Sequence, residues 1–228
     1  MNSPNHGISR WFRGSGASPT SPAESGKGQR ISRRSMGLGE FMRSLKSAGQ
    51  KSTAEDKLCI LDLGSTSPAN IAFLTELGMR VCTEDVLRAS NDPDYTVHQE
   101  DGTDQFDPEK FLAENLSYPE GHFDAVLFWD VTDYLPEPLV KPLVDRIHGK
   151  LKPHGVMLAF FHDKDVGPDA PFYRYHIAQP DTVEMEPKSG FRLQRIFQNR
   201  HVENLFAHFG SRKFFLGRDN FREVIIVR

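Results

Sequence analysis

The sequence predicts an α/β fold, with a mostly parallel sheet and helices over both of its faces. Three observations carry this expectation. Short apolar runs alternate with helical segments from Lys57 to Asp163. Those runs are apolar almost throughout, as strands buried on both sides must be. The chain ends in two further runs, 212–217 and 221–227, separated by Arg218-Asp219-Asn220. Polar turn residues between two apolar runs read as an antiparallel hairpin.

Each element has its own signal. Residues 1–35 are rich in Gly, Ser, Pro and Arg and lack periodic apolar positions. Such a segment buries too little surface to offset ordering entropy, so disorder is expected. Leu38, Phe41, Met42 and Leu45 recur at helical spacing and predict a short amphipathic helix over 39–48, with an apolar face that could dock on the domain. Residues 49–56 then read as a linker. The expected division is a basic tail over 1–56 and one domain over 57–228. Within that domain the strands are expected at 58–63, 79–84, 95–99, 123–129 and 154–161, with helices at 68–77, 107–115 and 137–150. Pro136 and Pro138 suit the start of the last helix, and His148 and Lys150 suit its C-terminal dipole. Residues 164–190 are too long for an ordinary connection but hold Phe172, Tyr173 and Tyr175, so they read as a lid or binding loop. An extended stretch at 191–197 and a helix near 199–209 lead to the terminal hairpin. With that hairpin the sheet counts seven strands.

Composition excludes several classes. No apolar run approaches the roughly 20 residues needed to cross a bilayer, and the N-terminus lacks a signal-peptide core. The two cysteines, Cys59 and Cys82, lie in predicted buried strands. They read as small core residues in a reducing compartment, so a cytoplasmic protein is expected. No Cys/His spacing resembles a zinc site, and no metal is expected. The net charge of −3 hides an asymmetry, since residues 1–57 carry ten Lys/Arg and four Asp/Glu. A basic tail therefore precedes an acidic domain.

The stretch Leu58-Cys-Ile-Leu-Asp-Leu-Gly-Ser-Thr-Ser-Pro-Ala-Asn70 carries the most specific signal. An apolar strand ends in Asp62 and Gly64, and a small-residue turn opens a helix. The next strand ends in Glu84 and Asp85. This unit suits an adenosine-containing ligand, because small residues admit close backbone approach and a carboxylate accepts from ribose hydroxyls. With Glu100-Asp101-Gly102, the run Phe123–Pro136 and the turn Leu151-Lys-Pro-His-Gly155, it resembles the class I S-adenosylmethionine (SAM)-dependent methyltransferases. The resemblance spans about residues 58–228. It implies a Rossmann-like three-layer sandwich and SAM as cofactor. Asp62 and Gly64 match the family's acid-x-Gly-x-Gly-x-Gly motif, whereas Thr66 and Pro68 stand where two further glycines are usual.

The resemblance also implies candidate residues. Asp62, Gly64 and Ser65 would meet the methionine end of the cofactor, Glu84 or Asp85 the ribose, and Asp101 the adenine. Trp129 would wall the methyl-transfer pocket, and Asp130 or His162 would handle an acceptor's proton. Each has a plainer reading too: Asp62 and Asp101 as acids satisfying loop amides, Asp85 as a solvated acid, Trp129 as a packing residue. Methyl transfer is an in-line displacement that needs alignment more than acid–base work. The expected function is therefore SAM-dependent methylation of an unidentified small-molecule or macromolecular acceptor. Two alternatives stand beside it. One is a methyltransferase-like binding or scaffold domain without turnover, suggested by Thr66 and Pro68. The other is a nucleic-acid-associated methyltransferase that uses Arg30, Arg33, Arg34, Arg43 and Lys46 of the tail.

Overall fold

The computed structural model describes residues 29–50, 56–164, 171–217 and 221–228. The expected tail up to residue 28, most of the linker and the Arg218–Asn220 turn lie outside these residues.

The central sheet runs β10-β11-β7-β6-β2-β3. Strands β2 (Cys59–Asp62), β3 (Arg80–Thr83), β6 (Phe123–Trp129) and β7 (Leu151–His162) are mutually parallel. Strands β10 (Ser211–Leu216) and β11 (Phe221–Val227) form the expected antiparallel hairpin, with β11 laid against β7. Among the described residues the sheet has six strands rather than seven. Residues Thr96–His98 (β4) pair only with Asp104–Phe106 (β5), in a separate two-stranded ribbon. All three β4 residues are exposed, so that segment has no apolar face to place in the main sheet.

One face of the sheet is covered by α4 (Pro108–Asn115), α6 (Glu137–Lys150) and α7 (Asn199–Leu205), around Phe111, Leu143, Met157, Phe161 and Phe206. The other is covered by α1 (Met36–Gly49), α2 (Pro68–Glu76) and a second sheet of order β1-β9-β8. That sheet joins β1 (Ile31–Arg34) to the hairpin β8 (Phe172–Gln179) and β9 (Thr182–Lys188). The short helices α3 (Val86–Ala89) and α5 (Val131–Tyr134) follow the tips of β3 and β6. Helix starts obey local chemistry. Ser35, Ser67 and Asp107 cap α1, α2 and α4 through their side chains, and Pro68 and Pro108 occupy first-turn positions that need no donor.

Two expectations change here. Residues 31–49 belong to the body of the fold rather than to a tail. Leu38 and Phe41 are completely buried, and β1 pairs along its length with β9. The basic character of this segment is matched by acids opposite it: Arg30 meets Glu184 at 3.1 Å, Arg34 meets Asp181 at 2.7 Å, and Arg33 pairs with Glu223. The segment expected as a lid loop is, at 172–188, a paired hairpin. Its inward residues Tyr175, Ile177, Val183 and Met185 are buried against the sheet.

Candidate active site at the strand tips

The parallel strands end together, and the loops beyond their carboxyl ends hold most of the predicted residues. Asp62 closes β2 and is buried. Its Oδ1 accepts from the Trp129 indole Nε1 at 2.7 Å and from the Gly64 amide at 3.2 Å, and its Oδ2 accepts from Asn70 Nδ2 at 2.9 Å. Burial raises its pKa, while the donors from Asn70, Trp129 and Gly64 pull against that rise.

Trp129 ends β6 with φ +49°, a left-handed conformation that costs free energy in a residue with a side chain. That twist lays the indole over Gly64. A Cβ at Gly64 would sit 2.6 Å from Trp129 Cδ1, so the glycine is required by the ring that covers it. Tyr175 stacks on the indole at 5.0 Å and 7° between planes, and Phe160 meets it edge-on at 5.3 Å. Asn70 locks this cover. Its Oδ1 accepts from the Ile177 amide at 2.7 Å and its Nδ2 also donates to the Tyr175 carbonyl at 3.2 Å. Ser67 Oγ bonds His176 Nδ1 at 2.7 Å, and His176 Nε2 bonds Glu186 at 3.0 Å.

Beyond the indole lies a buried polar group. Tyr175 donates its hydroxyl to Asp130 Oδ2 at 2.6 Å. Asp133 Oδ2 accepts from the His162 amide at 2.8 Å and bonds His162 Nδ1 at 2.9 Å. Desolvation lifts Asp130 to about 7, against the pull of His162 and Tyr175. Burial pulls the His162 pKa down, but the Asp133 hydrogen bond and the Asp130 charge outweigh it and leave it raised. Among the described residues, Tyr134 Oη, Asp133 Oδ1 and Thr132 Oγ1 are buried without a hydrogen-bond partner. A ligand's polar groups would satisfy them.

The Asp130 shift has a consequence for stability. An aspartate in the unfolded chain titrates near 3.8, whereas folded Asp130 keeps its proton to about 7. Between those values the folded state binds more protons, so Asp130's contribution to stability falls as pH rises through the window and levels above it. The denaturation free energy of wild type relative to Asp130→Asn should therefore decline from pH 4.5 to 7.5. A difference that stays constant would mean that Asp130 ionises normally.

The structure gathers Asp62, Gly64, Trp129 and Asp130, with His162 joined to them through the Asp133–Asp130 side. Ser65 is half-buried in the same loop. Glu84 and Asp85 stand at the tip of β3, where Glu84 donates its amide to the Asp62 carbonyl at 2.9 Å. They flank an open cavity of about 500 Å³ with Arg88, Asn91 and Asp92. Glu84 also accepts from the Tyr118 hydroxyl at 2.5 Å, and Asp85 caps α3 through the Arg88 amide at 3.1 Å. Asp101 is exposed and folds back on its own turn, accepting from Thr103 N at 2.9 Å and Oγ1 at 2.6 Å. Those bonds hold its pKa low and match its plainer reading. Sequence reasoning missed Asn70 and Asp133. Asn70 had a faint signal, since an asparagine in a first helical turn favours side-chain bonding over helix propagation. Asp133 had none.

The chain is similar to the Burkholderia thailandensis 1,6-didemethyltoxoflavin-N1-methyltransferase, solved with 1,6-didemethyltoxoflavin and S-adenosylhomocysteine bound. The identity is 15%, over 85% of this chain and 78% of that one, with a TM-score of 0.46. A SAM-dependent methyltransferase from Methanosarcina mazei is 16% identical over 76% of this chain and 92% of that one, with a TM-score of 0.45. One from Archaeoglobus fulgidus is 10% identical over 84% and 94%, with a TM-score of 0.43. No curated protein matches the chain. No helix among the described residues is long and apolar enough to cross a membrane. Residues 33–212 match the family described as "Methyltransferase domain", a span that begins inside β1 and takes in every strand-tip residue described above, so the chain belongs to that family.

Proposed function

We propose that this protein transfers a methyl group from SAM to an acceptor, and that the structure is the closed form of its site. The observation that carries this reading is the meeting of Asp62, Gly64 and Asp130 at the strand tips beside the acidic Glu84–Asp85 cavity. The two ends of that site fit the cofactor differently. At the adenosine end, carboxylates face an open cavity and can accept from ribose hydroxyls. At the methionine end, the Trp129 ring already covers Gly64 and holds Asp62 Oδ1. Binding there requires the indole, and with it Tyr175, to move aside.

SAM supplies a methyl group on a sulfonium, which needs only an aligned nucleophile. Asp130, poised to about 7, would take the acceptor's proton, since a base titrating near working pH transfers protons most effectively. Tyr175 would orient Asp130, and Asp133 would orient His162 beside it. The acidic strand-tip environment suits an acceptor that is neutral or cationic before transfer.

A second reading is favoured by the same cover. Trp129 and Asn70 already satisfy Asp62, and the Trp129 ring, backed by Tyr175, occupies the approach to Gly64, as in a domain that keeps the family's fold for binding or scaffolding without turnover. The nucleic-acid reading gains little, because Arg30, Arg33, Arg34 and Arg43 all face acids. Calorimetric titration with SAM separates the first two readings. Wild type should bind, and Asp85→Ala should weaken binding about tenfold through lost bonds to ribose. Absence of heat at about millimolar SAM, in wild type and in a variant lacking the Trp129 ring, would leave only the scaffold.

A further inference from the structure

At the opposite end of β2 from Asp62, two thiols and an imidazole converge. Cys59 opens β2, Cys82 lies in the neighbouring edge strand β3, and His122 immediately precedes β6. Cys59 Sγ is 3.7 Å from His122 Nε2, and the three ligand atoms all lie within 4.8 Å of one another. We propose that Cys59, Cys82 and His122 form a site for a thiophilic divalent ion of the zinc class, with its fourth position open to water. It is independent of the methyl-transfer reading.

The donor set is what such an ion selects. Thiolate and imidazole ligands suit zinc, whereas calcium and magnesium demand oxygen. Tetrahedral bonds of zinc to sulfur and nitrogen place ligand sulfurs about 3.8 Å apart and a sulfur and nitrogen about 3.5 Å apart. The Cys59–His122 separation already matches the second value. The separations that involve Cys82 lie within 4.8 Å.

The surroundings hold the ligands in place. Asp124 accepts from the Cys59 amide at 2.8 Å and is itself bonded by Lys152 at 2.9 Å. The His122 amide donates to the Lys150 carbonyl at 2.8 Å. Its ring stacks at 19° on Tyr118 and abuts Phe123 edge-on at 4.8 Å. These contacts fix the imidazole so that Nε2 faces the thiol. Cys59 is buried, while Cys82 and His122 are half-buried. The site is thus reachable from the β3 edge and sheltered underneath. A bound ion would tie the edge strand to β2 and to the turn before β6, bracing the sheet away from the strand tips. Linear spacing hid this site, because its ligands come from three separate segments joined only by strand pairing.

Metal-free, full-length protein kept reduced with a phosphine should be titrated with Co(II) and then with Zn(II) against a chromophoric chelator. The expected result is one equivalent of tightly held ion, a thiolate-to-cobalt charge-transfer band and a higher Tm with Zn(II). Cys82→Ser and His122→Ala should each weaken binding by more than the roughly 10–100-fold that loss of an outer partner costs. His98→Ala, an exposed histidine elsewhere, should leave binding unchanged. Lack of the thiolate band, or zinc affinity unaltered in both ligand variants, would overturn the site. So would a reduced protein that takes up no metal and only forms a Cys59–Cys82 disulfide on oxidation.

Discussion

Arg33→Ala should destabilise the protein by about 3–5 kcal/mol, the usual cost of removing one partner of a buried ion pair. Arg33 and Glu223 are 7% and 3% exposed, so water screens neither. The guanidinium lies between the Phe160 and Phe221 rings, 5.3 Å from each centroid. Glu223 also accepts from Ser35 Oγ at 3.0 Å and from the Gly37 amide at 2.5 Å, so one carboxylate anchors both the end of β1 and the start of α1. The substitution removes the Arg33 charge from that buried carboxylate and opens space between two aromatic rings. For a chain of this length the loss corresponds to a fall in Tm of roughly 6–20 °C. Arg34→Ala is the control. Its ion pair with Asp181 is 85% and 42% exposed, and its loss should change stability by less than about 1 kcal/mol. Equal effects of the two variants in chemical denaturation would refute the anchoring role. By the same reasoning, removal of residues 1–35 should lower stability markedly, because it takes away Arg33, β1 and the Ser35 cap. The sequence alone led to the expectation that residues 1–35 are disordered.

Trp129→Gly should act on stability and on ligand binding in opposite directions. Truncating a completely buried aromatic side chain costs about 3–5 kcal/mol. Glycine recovers roughly 1 kcal/mol of that, because it accepts the +49° φ freely. The variant also frees Asp62 Oδ1 and uncovers Gly64. If the indole closes the methionine end of a SAM site, the variant should bind SAM more tightly than wild type, by about tenfold for each 1.4 kcal/mol that displacing the ring costs. Tyr175→Leu removes only the outer ring of the stack and should move affinity the same way with a smaller loss of stability. Binding unchanged in both variants would show that the ring is not a cover. Denaturation curves and calorimetry on the same samples read both effects.

The sequence by itself determined the layered α/β architecture, the terminal hairpin and the family. Each of these rests on local signals, such as the apolar run Ala125–Trp129 of β6, Pro68 at the start of α2, and Asp62 and Gly64 at the end of β2. Such signals survive in one dimension because they depend on neighbours in the chain. Tertiary structure alone decided three other matters. It drew residues 31–34 into a sheet with β9, although the segment lacks apolar periodicity, because Arg33 finds its acid on a strand at the far end of the chain. It excluded β4 from the main sheet, because an exposed strand has nothing to bury there. It also placed Trp129 and Tyr175 face to face over Gly64, with Asn70 bridging the Tyr175 carbonyl to Asp62. Sequence placed Asp62, Gly64 and Trp129 near one another at strand tips. Whether the indole walls a cavity or fills it depends on one left-handed φ and on a hairpin more than forty residues away, and both follow from packing that no local pattern records.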